Sequence, residues 1–429
     1  MLTLAIALLA AQTPQHRLFQ QPNLASSQFA FFEAFPSSGA GTFGACSTTP
    51  PTGARGEVLT FTRASAATCT RTASGGLATT GIADSDLITL STNVARVEYD
   101  SSGVLGLRVE AAATNLLLRF IEACDAAWSD VGTPALTGAT VTGTACATAT
   151  PQASPFAGTF ATAAVMIEDN DAAAQEGRSQ AVTVSAGAAH TMHCLVKGGS
   201  LAEASISLDG TAQTITGLSA TTWSIVQVTD ASSSGVSISA RILNGDAVGD
   251  TGTVIWGGCQ VETGSYRHSI TPTVSAAVTR ALETMKVNGA TFPTATVSKA
   301  VTITTEWSQA QAPVTWGLLM GEVGTTSGSD FFGVGSGVRT QNCSGSCTAI
   351  TSGALSIVAG TAMRLAADSS GGQSSIYKNG VSVLGPSALT AAASPWSSTT
   401  GIADNGAGVG HLDGIISRVC VDPSPERCR

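Results

Sequence analysis

HTMHCLV (190–196), ASISLDG (204–210), WSIVQVT (223–229), VSISARI (236–242) and TVIWGG (253–258) decide the reading of this chain. Each is a short run rich in apolar and β-branched residues, and Gly, Ser, Asp or Thr break the sequence between them. Such runs recur every ~12–20 residues, a rhythm that reads as strands of an all-β sandwich of jelly-roll type.

Working outward, the same patterning extends in both directions. Upstream, GEVLTFTRAS (56–65) alternates apolar and polar residues, and NVARVEYDSSGVLGLRVE (93–110) reads as two strands joined at Ser102-Gly103. Downstream lie AVTITTEW (300–307), WGLLMG (316–321), ALSIVAG (354–360), MRLAAD (363–368), IYKNGVSVL (376–384) and LDGIISRVCV (412–421). Asn379-Gly380, between alternating residues, is the strongest short hairpin signal in the chain. The fold expected is tandem jelly-roll β-sandwiches preceded by an irregular N-terminal arm. Boundaries follow composition: an arm over 1–55, a small β-rich connecting region over 56–114, one jelly roll over 115–278 and a second over 279–429.

Composition agrees with that class and excludes others. The 429 residues carry 47 glycines and only 11% charged residues, with a formal net charge of -9. An acidic chain without a Lys/Arg cluster is a poor partner for nucleic acid phosphates. No segment is long and apolar enough for membrane insertion. The opening MLTLAIALLAA has no basic residue ahead of its apolar run, unlike a secretory signal. It reads as an arm buried against other subunits. Phe29, Phe31, Phe32 and Phe35, set in Pro/Gly/Ser-rich text, add a contact surface. A homo-oligomer, with a trimer favoured, is the expectation.

The ten cysteines show no C-x-x-C pair of a structural zinc site, so disulfides in an oxidising setting are expected. Near neighbours are Cys343 and Cys347, Cys420 and Cys428, Cys124 and Cys146, and Cys46 and Cys69; Cys194 and Cys259 fall in predicted strands of one sandwich. Glu168-Asp169-Asn170-Asp171 is the one dense acidic cluster. Glu168, Asp169 and Asp171 could hold a Ca2+, although the spacing is not an EF-hand and a solvated acidic turn is the plainer reading. No other cofactor is indicated. His190 and His193, at i and i+3 on a strand, point to opposite faces and cannot share a metal.

LTFTRASAATC (59–69), NVARVEYD (93–100), GLRVEAAATNLLLR (106–119), WGGCQVETGSYRHSITPT (256–273) and AVTRALE (277–283) together resemble a family of bacteriophage virion proteins, the tail-fibre and head-spike proteins of tailed phages. The resemblance spans roughly residues 55–285. Ala113 stands where that family carries an Arg, and RHSITPT replaces its ATSYIPT. The stretch 115–273 is also similar to carbohydrate-binding-module jelly rolls, and 285–429 to laminin-G or concanavalin-like jelly rolls.

The resemblance implies a structural subunit on the virion surface, docked on capsid, portal or tail proteins through its arm. It also implies binding of a host cell-surface polysaccharide. A capsule polysaccharide depolymerase and a ligand-free capsid decoration protein remain as alternatives. Sugar rings stack on aromatic faces; Trp307, Trp316, Tyr377 and Trp396, in polar or loop text, are the glycan candidates, which places affinity in 285–429. Trp223 and Trp256, inside apolar runs, read as core. No paired-carboxylate strand, G-x-S-x-G elbow or H-E-x-x-H supports catalysis.

Overall fold

The computed structural model describes residues 30–32, 45–46, 58–71, 80–99, 105–139, 141–245, 247–288, 299–307, 317–321, 331–334, 338–344, 346–352, 362–370, 373–388, 401–402 and 414–422. Among them the only helical element is a 3-10 turn at Gly158–Phe160, and no helix is long and apolar enough to cross a membrane. The chain begins with β1 (Ala30–Phe32), β2 (Val58–Thr62), β3 (Ala67–Thr70), β4 (Leu87–Leu90), β5 (Arg96–Tyr99), β6 (Leu105–Val109) and β7 (Ala113–Asn115). The central strands are β8 (Ser129–Val131), β9 (Ala135–Gly138), β10 (Val165–Asp169), β11 (Gly177–Thr183), β12 (His190–Gly198), β13 (Glu203–Leu208), β14 (Thr211–Thr216), β15 (Ser224–Asp230), β16 (Ser237–Asn244) and β17 (Gly252–Thr263). After them come β18 (Val278–Arg280), β19 (Thr284–Asn288), β20 (Lys299–Trp307), β21 (Gly317–Gly321), β22 (Phe331–Val334) and β23 (Val338–Ser344). The last are β24 (Ser346–Thr351), β25 (Ala362–Ser370), β26 (Gln373–Lys378), β27 (Val381–Ala388), β28 (Gly401–Ile402) and β29 (Gly414–Asp422).

The central strands form two five-stranded sheets, β15-β12-β17-β10-β9 and β14-β13-β16-β11-β8. Their strand pairs are antiparallel. The chain changes sheet at nearly every connection from β10 to β17, the winding of a jelly roll. Period-2 patterning explains the packing: Ile238, Ala240 and Ile242 of β16 and Val226 and Val228 of β15 turn inward and are buried. They meet Met192, Cys194, Val196, Val254, Trp256 and Val261 in one core between the sheets. Burying each large apolar side chain contributes about 1.5–3 kcal/mol.

One bulge sets the register of this core. The pairing of β12 with β17 shifts between Leu195 and Val196, opposite Gly258 and Trp256. Inward positions on β17 are therefore even before the bulge (Val254, Trp256) and odd after it (Cys259, Val261). Glycine is required there. A Cβ on Gly257 would stand 2.6 Å from both Pro155 Cδ and Trp223 Cζ3, and Gly258 has φ +131°.

β12 is buried on both faces. Its second face, with Leu195, packs against Ile82, Leu87, Phe120, Phe156, Trp223 and Ile270. The segment before the sandwich thus covers the outer face of one of its sheets.

Most remaining strands form an eight-stranded sheet, β27-β26-β25-β20-β29-β6-β5 with β1 added on β29, and a seven-stranded sheet, β2-β19-β28-β21-β22-β23-β24, while β3 and β4 pair with each other. Residues 56–114, read from sequence as a connecting region, supply β2 to one of these sheets and β5 and β6 to the other. The jelly roll is an insertion between β6 and β19, and its entry and exit strands, β7 and β18, pair antiparallel at its neck. Of the predicted arm, Ala30–Phe32 pairs with Val419, Cys420 and Val421 of the same chain; residues 1–29, Phe29 among them, and Phe35 lie outside the described residues. The Asn379-Gly380 hairpin is present, with Lys378 paired to Val381 and positive φ at both turn residues.

Candidate functional site

The Arg-Val-Glu sequence occurs twice, at 96–98 and 108–110, on strands that pair. Arg96 lies directly opposite Arg108 in the ladder of β5 and β6, an arrangement that like charges alone would destabilise. Glu110, just past β6, resolves it: its Oε2 accepts from Arg96 at 2.8 Å and its Oε1 from Arg108 Nε at 3.1 Å. Glu283, immediately before β19, completes the network. Its Oε1 accepts from Arg63 and from Arg96 Nε, both at 2.8 Å, and its Oε2 from the Glu110 backbone N–H at 2.8 Å. Arg280 lies 3.3 Å from Glu110 and donates to the Ala111 carbonyl. Ser269 donates its hydroxyl to Glu110 at 2.7 Å and accepts from Arg96 at 2.9 Å.

All of these charged groups are enclosed; Arg63, Arg96, Arg280, Glu110 and Glu283 are 0% exposed. Burial alone raises a carboxyl pKa, yet the guanidiniums of Arg108, Arg96 and Arg280 overcome it and hold Glu110 well below the usual range. Glu283 is lowered in the same way by Arg96 and Arg280. For Arg96 burial pulls the pKa down, and Glu110 and Glu283 more than restore it. Every stretch that carried the virion-protein resemblance contributes a residue here: Arg63, Arg96, Arg108 with Glu110, Ser269, and Arg280 with Glu283. Those motifs build one ionic joint between the inserted jelly roll and the sheets around it. The visible signal in sequence was the repeated Arg-Val-Glu in a chain so poor in charge.

Beside the joint lies a cavity of about 40 Å³, reached by Thr68, Thr70, Glu98, His193, Arg267 and His268. Glu262 accepts from the backbone N–H of His268 at 2.8 Å and meets its Nδ1 at 2.6 Å. Burial lowers His193 to about 4 against the pull of Glu262, with Arg267 and His268 adding to the lowering. As expected, His190 and His193 occupy opposite faces of β12.

The glycan candidates do not gather into a described site. Tyr377 is half-buried in β26, and Trp307 ends β20 in register with Gly414, two strands away. The side chain of Trp307 and all of Trp316 and Trp396 lie outside the described residues. Trp128, Trp223 and Trp256 are buried. The Trp223 indole N–H donates to Asp84 at 2.7 Å, and Lys197 lies 4.6 Å above its ring.

The acidic cluster is a turn. Asp169 is buried and accepts from the backbone N–H groups of Asp171 and Glu176, while Glu168, one residue back on β10, is exposed. Glu168, Asp169 and Asp171 are not brought together as ligands; among the described residues no group of His, Cys, Asp or Glu is placed to hold a metal. Alternation along β10 sends adjacent carboxylates to opposite faces.

Among the described residues three disulfides form: Cys46–Cys69, Cys124–Cys146 and Cys194–Cys259. The last joins directly opposed residues of neighbouring strands in one sheet. Cys343 and Cys347 are register partners in the hairpin of β23 and β24. Their side chains, that of Cys420, and Cys428 lie outside the described residues.

No family model matches this chain, and no curated protein matches it. Among solved structures it is similar to the CBM22-1–CBM22-2 tandem domain of Paenibacillus barcinonensis Xyn10C, at 10% identity and a TM-score of 0.24, over 73% of this chain and 99% of that one. It is also similar to domains LG4-5 of the mouse laminin α1 chain, at 12% identity and a TM-score of 0.22, over 56% of this chain and 84% of that one. The fold class rests on the strand order itself.

Proposed function

We propose that this chain is a structural subunit of a bacteriophage virion surface, a head spike or tail fibre, that binds host cell-surface polysaccharide without cleaving it. The observation that supports this is the joint. Five separated stretches that resemble phage spike and fibre motifs converge on a buried, mutually paired Arg/Glu network, which suits a rigid projecting body. Its carboxylates are committed to guanidiniums and backbone N–H groups, so this cluster has no general acid to offer a glycosidic bond. In this reading the arm docks on capsid, portal or tail proteins, and copies assemble as a homo-oligomer, a trimer being favoured. Weak single glycan sites on the 279–429 sheets act together on one particle. No cofactor is needed.

The test is to incubate the full chain with host cells and with their extracted surface polysaccharide. Retention on cells without new reducing ends is expected. New reducing ends would establish the depolymerase instead, and neither retention nor cleavage would leave a decoration protein.

A further inference from the structure

The jelly roll meets the strands around it along a seam with two halves. One half is the buried Arg/Glu joint, closed by direct ion pairs. The other half is the cavity of about 40 Å³ beside it, where polar side chains from both bodies face a common space. His193 reaches it from β12 of the jelly roll, and Glu98 reaches it from β5 of the eight-stranded sheet. Thr68 and Thr70 of β3 stand in the same wall.

His193 is 1% exposed, and neither ring nitrogen has a hydrogen-bond partner among the described residues. Glu262 Oε1 stands 3.7 Å from its Nδ1, beyond hydrogen-bond reach. Burial lowers the imidazole to about 4, so the neutral ring offers a proton on one nitrogen and a lone pair on the other. Glu98, also buried, spends Oε1 on the Thr70 N–H at 3.0 Å, and no donor among the described residues reaches its Oε2. Burial is the largest influence on its carboxyl and pushes it above the usual range against Arg108 and Arg96. Thr68 donates its hydroxyl to the Ile270 carbonyl at 2.6 Å, which leaves its lone pairs to accept. Buried polar groups in native folds are satisfied by protein or by ordered water.

We infer that this cavity holds a short, enclosed chain of water molecules that links His193 of the jelly roll to Glu98 of the flanking sheet. A water needs ~10–15 Å³ of such space and two to four polar partners. A cavity of about 40 Å³ therefore takes about three molecules, and His193, Glu98 and Thr68 supply the partners. No metal fits in their place, because among the described residues no group of His, Cys, Asp or Glu is placed to hold one. A wall that carries both the Glu98 carboxyl and the Arg267 guanidinium favours neither sign of free ion. Bridging waters are nearly as good as direct hydrogen bonds, so the seam is fastened on its wet side as well as on its ionic side.

The test is a crystal structure of the full chain that shows ordered water, paired with a count of long-lived internal waters in solution by water relaxation dispersion. In the crystal, water is expected within about 2.7–3.2 Å of a His193 ring nitrogen, with the chain continuing to Glu98. In solution the unaltered chain is expected to hold about three more long-lived waters than His193→Phe, a larger ring that offers no hydrogen bond. Because that variant could fail to fold, the crystal of the unaltered chain decides by itself. A dry cavity, a direct hydrogen bond from His193 to Glu262, or an ion in place of water would overturn the inference. Equal water counts in a folded His193→Phe would overturn it as well.

Discussion

Acid should weaken this protein through His193, by an amount the structure sets. In the folded chain burial holds this imidazole at about 4, against an ordinary 6.5. The unfolded chain therefore takes up the proton first as pH falls, and the folded state is disfavoured by the difference. The stabilising contribution is complete above the unfolded value, declines as pH falls through the window between the two values, and is gone below the folded one. At about 1.36 kcal/mol for each pH unit between the two values, the loss is about 3 kcal/mol. The side chain is almost wholly enclosed, so solvent screening does not reduce the figure. The assay is urea unfolding, in chloride-free buffer, of the unaltered chain and of His193→Gln from about pH 7 down to about pH 4. Groups common to both cancel in the difference. The unaltered chain is expected to lose about 3 kcal/mol more than the variant over that window. Parallel pH profiles would refute the reasoning, because they would mean that His193 reaches solvent in the folded state.

Removing the Cys124–Cys146 bridge, which spans 22 residues, by a double alanine substitution is expected to cost about 3 kcal/mol in non-reducing urea unfolding. Gly257→Ala places a methyl group 2.6 Å from Pro155 and Trp223; the expected loss is about 1–3 kcal/mol, read as a lower urea midpoint at unchanged slope. Chelation with EDTA is expected to leave the unfolding temperature of the jelly roll unchanged, because Asp169 is already capped by backbone N–H groups. A chain shortened at about residue 284 is expected to lose host-cell adsorption, and full adsorption by it would move the glycan site upstream; because that cut also removes β19 and β29, the partners of β2 and β6, its folding must be confirmed by circular dichroism.

The strands were legible because period-2 patterning needs only local information. VSISARI became β16 with Ile238, Ala240 and Ile242 inward, WSIVQVT became β15 with Val226 and Val228 inward, and Asn379-Gly380 turned where the dipeptide requires. The insertion was not legible. β2 and β6 carry nothing in their own residues that names partners near 284–288 and 414–416, since pairing across hundreds of residues is set by the closed sheet and not by the strand. The bulge at Gly257-Gly258 reads in sequence as two turn glycines, whereas its effect is to exchange which face of β17 enters the core. The ionic joint was half visible. Its residues stood out as motifs, but charges in a strand pattern ordinarily mark the solvent face, and only the fold shows five such stretches turned toward one another. The acidic cluster reads in sequence as a turn more readily than as a cation site, and Asp169 accepts from two backbone N–H groups of that turn.

A double-mutant cycle between Arg96 and Glu283, on Arg96→Met, Glu283→Gln and the pair, tests the joint most directly. Breaking either side of a buried pair leaves an uncompensated charge and costs about 3–5 kcal/mol, whereas removing both costs much less than the sum. With two guanidinium nitrogens of Arg96 on this one carboxylate, the expected coupling is at least about 1.5 kcal/mol. Effects that add to within about 0.5 kcal/mol would contradict the joint: the two residues, 187 apart in sequence, would then not share an interaction that holds the fold.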